Sequence, residues 1–146
     1  MNDLSHIATC RVLAPAGFAF AYLADPAKLG RWSLGCFDTQ PVDGSGLHTG
    51  LSLFDRGRGW YRIDSDPDRM SIDYLVGAPD SLTHRISARV MAGGPLAYSD
   101  PACLATLIAW RPATMDEERW LRLKASHEAE IWLIKAQIET EFGAAS

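Results

Sequence analysis

The chain is poor in cysteine, with only Cys10, Cys36 and Cys103 among its 146 residues. An odd, widely spaced trio does not make a disulfide framework, and no Cys-x-x-Cys zinc spacing occurs. Long apolar runs are missing too. The longest, residues 18–24 and 104–110, fall far short of the roughly 20 residues that span a bilayer. The first ten residues, MNDLSHIATC, carry an acid at position 3 and no apolar core of a secretory signal. Basic residues are few and scattered; 14 Lys and Arg against 18 Asp and Glu leave a net charge of −4. Without a basic stripe, neither nucleic acid nor an anionic membrane surface is an expected partner. These absences together predict a reduced, soluble, cytoplasmic protein.

Recognised catalytic signatures are also lacking. No Gly-x-Ser-x-Gly elbow is present. The pairs Gly44-Ser45-Gly46 and Gly57-Arg58-Gly59 are too short to cradle phosphate. His127-Glu128 lacks the second histidine of a zincin, because position 131 is Ile. Asp64, Asp66 and Asp68 alternate as acids, but Pro67 and the missing downstream glutamate make a solvated turn the simpler reading. No metal and no cofactor is expected. Cys36, in Leu-Gly-Cys-Phe, sits in no catalytic-cysteine context.

What remains is an ordinary globular mix, 47% hydrophobic and 22% charged, long enough for one domain with its own core. No repeat, linker or low-complexity segment divides residues 1–146. Residues 5–13 alternate as a strand does. Pro15 then suits a first helical position, and Phe18/Tyr22 and Ala19/Leu23 pair at i,i+4 along a helix over 15–24. Asp25-Pro26 starts a second short helix, to about residue 32. From there to residue 111 the period is two. Strands are expected at 34–42, 47–55, 59–64, 70–76, 84–91 and 103–111, parted by Gly-, Pro- and Asp-rich turns, which reads as an antiparallel meander. The gap at 92–101 suits either a lid or a long hairpin loop.

Thr114-x-x-Glu117 has the form of a capping box, and Gly143 that of a C′ glycine, bracketing a helix over 115–142 about 40 Å long. Stepped at 100° per residue, Asp116, Trp120, Leu123, His127, Ile131, Ile134 and Ile138 fall within about 40° of one line. Glu118, Arg122 and Lys135 lie opposite. Leu121, Trp132 and Leu133 interrupt that polar face and offer a seam for a homodimer. His127 therefore stands in an apolar stripe. It is either a satisfied core histidine or, given a cavity beneath it, a group able to titrate, bind or transfer protons.

The more apolar faces of the strands select Met70, Ile72, Tyr74 and Val76; His84, Ile86, Ala88 and Val90; and Tyr61 with Ile63. In the last strand Leu104, Thr106, Ile108 and Trp110 compete with the smaller Cys103, Ala105, Leu107 and Ala109, and the pattern does not choose. The expected interior sets Tyr22, Tyr61, Tyr74, His84 and His127 among aliphatics. Such a mixture suits a small-molecule pocket, although tyrosines behave similarly in ordinary cores.

This order of elements, with Ala14-Pro15-Ala16-Gly17-Phe18 entering the first helix, Leu23-Ala24-Asp25-Pro26 breaking it, Arg31-Trp32 after it and Asp66-Pro67-Asp68-Arg69-Met70 between two strands, resembles the SRPBCC (START-like, polyketide cyclase/dehydrase) superfamily. The resemblance covers nearly the whole chain. It implies an α+β helix-grip fold: a curved seven-stranded antiparallel sheet wrapped around a long C-terminal helix, with a deep hydrophobic cavity between them. It does not imply one chemistry, because the superfamily includes aromatase/cyclases, lipid carriers, hormone receptors and oxygenase domains. The iron-ligand patterns of the oxygenases are not present. Two readings stay open. In one, a cyclase or dehydratase acts on an aromatic or polyketide-like substrate, with His84 and His127 moving protons and Tyr22, Tyr61, Tyr74, Ile86, Thr106, Trp120, Leu123 and Ile131 as substrate contacts. In the other, the same cavity carries or senses a hydrophobic metabolite or lipid.

Overall fold

The computed structural model describes residues 3–145. Its seven strands are β1 (Ser5–Val12), β2 (Phe37–Val42), β3 (Leu47–Leu51), β4 (Arg58–Asp66), β5 (Ser71–Ala78), β6 (Ser81–Ala92) and β7 (Cys103–Trp110). They form one antiparallel sheet in the order β1-β7-β6-β5-β4-β3-β2. Helix α1 (Ala16–Ala24) and a 3₁₀ helix, Pro26–Arg31, follow β1, and the long helix α2 (Glu117–Ala145) closes the chain. This is the α+β helix-grip architecture expected from the sequence. No helix among the described residues is long and apolar enough to cross a membrane.

The start signals act nearly where the sequence puts them. Pro15 is the N-cap of α1, in extended conformation, one position before the expected one. Asp25 caps the 3₁₀ helix, its side chain accepting from Ala27 N at 2.9 Å. At α2 the capping box does not form. Asp116 Oδ1 accepts Arg119 N at 2.8 Å, so Asp116 is the cap, while Thr114 lies in a turn closed by Met115 N donating to Pro112 O. An aspartate two residues further on offers the same acceptor with a charge that favours a helix N-terminus. Nor does Gly143 end the helix, which runs on to Ala145.

The two halves of α2 meet different surroundings. Ile131, Ile134 and Ile138 are fully packed against Ala8, Cys10 and Val12 of β1, Cys103, Ala105 and Leu107 of β7, and Tyr22 and Leu23 of α1. The smaller set of β7 therefore faces inward. Small residues there let the helix approach the sheet closely; Cys10 Sγ even donates to Ile131 O at 3.4 Å. All three cysteines are free.

Two irregularities shape the other half. Strands expected at 34–42 and 47–55 are shorter than predicted, because residues 33–36 and 52–57 leave the sheet. Their backbone groups are satisfied locally: Leu53 N donates to Leu34 O, and Ser52 N to Gly57 O. The second irregularity is a bulge in β6. Tyr74 pairs Ile86 and Leu75 pairs His84, so Arg85 is the extra residue. The β5–β6 hairpin also depends on Gly77, at φ +145°, where a Cβ would come 2.5 Å from Ser81 O.

Candidate active site

Beneath the stretch of α2 that carries Leu123, Ser126, His127 and Glu130, the inner face of the sheet is hollow. The cavity holds about 390 Å³ and is bounded by β4–β6, the segment after the 3₁₀ helix, the 52–57 loop and α2. Its walls include Trp32, Tyr61, Tyr74, Ile86 and Leu123. The tyrosine hydroxyls are used by the scaffold: Tyr61 donates to Pro26 O at 2.9 Å and Tyr74 to Leu23 O at 2.7 Å. Burial accordingly holds both phenols in their neutral form, pushing Tyr61 up to about 12. They shape the cavity and tie it to α1 and the 3₁₀ helix.

Of the ionisable groups by which α2 lines the cavity, two are buried, His127 and Glu130, one helical turn apart. His127 Nε2 is 3.9 Å from Glu130 Oε1. Glu130 Oε2 accepts Leu34 N at 2.9 Å, which fixes the carboxyl and accounts for the early departure of residue 34 from the sheet. Desolvation dominates both groups. It raises Glu130 from 4.5 to about 7, against the pull of Leu34 N–H and Ser33. It lowers His127 from 6.5 to about 4, helped by the nearby charges of His6 and Arg85. Near neutral pH the imidazole is thus uncharged and the carboxyl is close to half-protonated. A carboxyl of that kind in an apolar cavity is a competent proton donor or acceptor. Nδ1 of His127 and Nε1 of Trp32 are enclosed with no hydrogen-bond partner among the described residues.

Most of the exposed part of the cavity lining comes from α2 and from residues 54–59. Arg122 stacks over the Phe54 ring at 4.8 Å, and Asp55, Arg58 and Arg119 complete the rim. The loop 92–101, for which a lid was one reading, contributes no residue to the lining and serves as the β6–β7 connection.

Five of the expected contacts meet here: Tyr61, Tyr74, Ile86, Leu123 and His127. Tyr22, Trp120 and Ile131 are buried in solid core instead; Tyr22 OH reaches Gln137 at 3.4 Å and Trp120 Nε1 donates to Asp3 at 2.9 Å. His84 and Thr106 are on the outer face of the sheet, contrary to expectation. The bulge at Arg85 inverts the alternation of β6, so Ile86 and Arg85 reach the cavity while His84 does not. His84 donates to Ser87 Oγ at 2.8 Å, and Ser87 in turn donates to Asp73 Oδ1 at 2.7 Å. Since that serine gives its proton to the carboxylate, the trio is no nucleophile relay. Thr106 bonds Thr9 across β1 and β7 at 2.9 Å. Leu121, Trp132 and Leu133 are exposed on α2.

Sequence reasoning missed Glu130, Arg85 and Ser126. Glu130 has a signal in retrospect: it follows His127 by one turn and precedes Ile131, at the edge of the apolar stripe. Arg85 has none, because a bulge leaves no mark in a pattern of period two.

No family model matches this sequence, and no curated protein does. Solved structures match well in shape. The Zhui aromatase/cyclase from Streptomyces sp. R1128 superposes with a TM-score of 0.69 at 18% identity, covering 97% of each chain. The di-domain ARO/CYC BexL from the BE-7585A biosynthetic pathway gives 0.68 at 15%, over 95% of this chain, which spans 47% of BexL. XoxI from Bacillus cereus gives 0.69 at 11%, covering 92% of this chain and 95% of that one. At such identities the likeness establishes the fold, which is polyketide cyclase-like, as the resemblance in sequence implied.

Proposed function

We propose that this protein is a cavity enzyme that moves protons on an aromatic or polyketide-like substrate, in a cyclisation or dehydration of the aromatase/cyclase kind. The observation that carries this reading is the buried Glu130 carboxyl, raised to about 7 and set beside a neutral His127 in a hollow of about 390 Å³. A proton removed next to a carbonyl would pass to the Glu130 carboxylate, and the same group, once protonated, would return a proton to a leaving hydroxyl. Neutral His127 can donate a hydrogen bond to the enolate oxygen that forms, where a water-poor site strengthens it. Tyr61, Tyr74 and Leu123 confine the rings and so supply orientation. The aromatase/cyclases among the structures of like shape support the substrate class.

The test is α-proton exchange of a naphthyl β-diketone in deuterated water, followed by mass spectrometry. Saturable exchange is expected, falling about 10²-fold or more in Glu130→Gln while the diketone still binds. Binding without exchange above buffer would defeat the catalytic reading and leave the carrier, in which burial of apolar surface alone holds a hydrophobic metabolite.

A further inference from the structure

Arg85 is the residue that the β6 bulge adds, and the bulge turns it toward the cavity. It is half-buried, and no carboxylate among the described residues pairs with it. Arg119 and Arg122, on the cavity's helical rim, likewise form no ion pair there. The cavity's own acids are held by backbone N–H groups, and Asp55 also feels the charge of Arg122 rather than that of Arg85. Asp55 Oδ1 accepts Gly57 N at 2.8 Å, and Glu130 accepts Leu34 N. Desolvation, with the charge of Arg119, disfavours the Arg85 cation. A bulge that re-aims a side chain at such a cost is a designed feature of a strand rather than a defect.

We propose that the cavity takes an amphiphilic anion, an apolar ring-bearing body against Tyr74, Ile86 and Leu123 with a carboxylate or phosphate group held by Arg85 and Arg119. This rests on the reading of the hollow as a ligand cavity and adds the ligand's charge. A guanidinium presents a planar fork of donors that matches either oxyanion in pairs. A neutral hydrophobic ligand would cover Arg85 further and leave its charge unanswered, which penalises that ligand relative to an anion of the same shape.

Two fluorescent probes separate the terms. 1-Anilinonaphthalene-8-sulfonate and N-phenyl-1-naphthylamine share their rings and differ in the anionic group. The sulfonate is expected to bind at least tenfold more tightly, and the preference to shrink as salt rises. Arg85→Gln should remove most of that preference while changing the neutral dye's affinity less than twofold; Arg119→Gln should do so in part, and Arg85→Lys should keep some of it. Arg85→Met, free of the unpaired charge, should melt about 3 °C higher. Competition by 2-naphthoate against 2-naphthyl phosphate then distinguishes the two oxyanions. Equal affinity for the two dyes, or equal loss of both in Arg85→Gln and Arg119→Gln, overturns the anion inference alone. Failure of both dyes to bind overturns it together with the cavity reading.

Discussion

Glu130 and His127 load the fold in opposite directions as pH changes. The Glu130 carboxyl titrates near 7 when folded and near 4.5 when unfolded, so the folded chain holds the extra proton between those values and loses stability as pH rises through them. His127 titrates near 4 when folded and near 6.5 when unfolded; there the unfolded chain holds the extra proton, and stability is gained as pH rises. Each effect is on the order of 3 kcal/mol, and over most of the range they cancel. The native protein should therefore show a nearly flat contribution from this pair between about pH 5 and 6.5. Glu130→Gln should unmask a rise in the urea midpoint from about pH 4 to 6.5, and His127→Phe a fall from about pH 4.5 to 7. Parallel midpoint curves for native protein and both variants would show that neither group is titrated by its burial. In the proposed reaction the same carboxyl is the base, so exchange of the diketone should increase through about pH 7 as the base form accumulates, and that increase should vanish in Glu130→Gln.

Among the elements, the start of α2 gives the sharpest local test. The side chain of Asp116 holds Arg119 N, whereas Thr114 takes no part in the cap. Asp116→Ala is expected to cost about 1 kcal/mol, and Thr114→Ala less than about 0.5, in chemical denaturation. A larger loss at Thr114 would restore the capping box. The β6 bulge is the other decision at this scale. By inserting Arg85 between His84 and Ile86 it keeps Ile86 and Ala88 on the inner face and expels His84 to the neighbourhood of Ser87, Asp73 and Trp110. The strand's direction and neighbours were predictable, although it begins at Ser81, three residues before the expected 84–91; its parity on one side of the bulge was not.

Taken whole, the molecule is solid under the second half of α2 and around Trp120 at its start, and hollow between them, beneath Leu123, Ser126, His127 and Glu130. Ile138 is fully buried in the solid half, while Leu123 is half-buried on the cavity wall. Ile138→Ala should cost about 2–5 kcal/mol, since close-packed neighbours relax only in part around a void. Leu123→Ala should cost clearly less and instead shift probe affinity, which thermal melts and dye titration can compare side by side. Equal losses of stability would mean that the region under Leu123 is packed like the rest.

The apolar periodicity of α2, the period-two alternation of the strands and the turn residues between them are local properties, and they were enough to determine the element order, the antiparallel meander and the inward placement of Tyr61, Tyr74 and His127, while the helix-grip fold followed from the resemblance that this order of elements carries. The choice of the small face of β7, the outward turn of His84 and Thr106, the inward turn of Arg85 and the capture of Glu130 by the backbone of Leu34 belong to the tertiary structure. Each depends on how closely a helix approaches a sheet or on which distant peptide group needs a partner, and separations of that kind are set by packing between residues far apart in the chain.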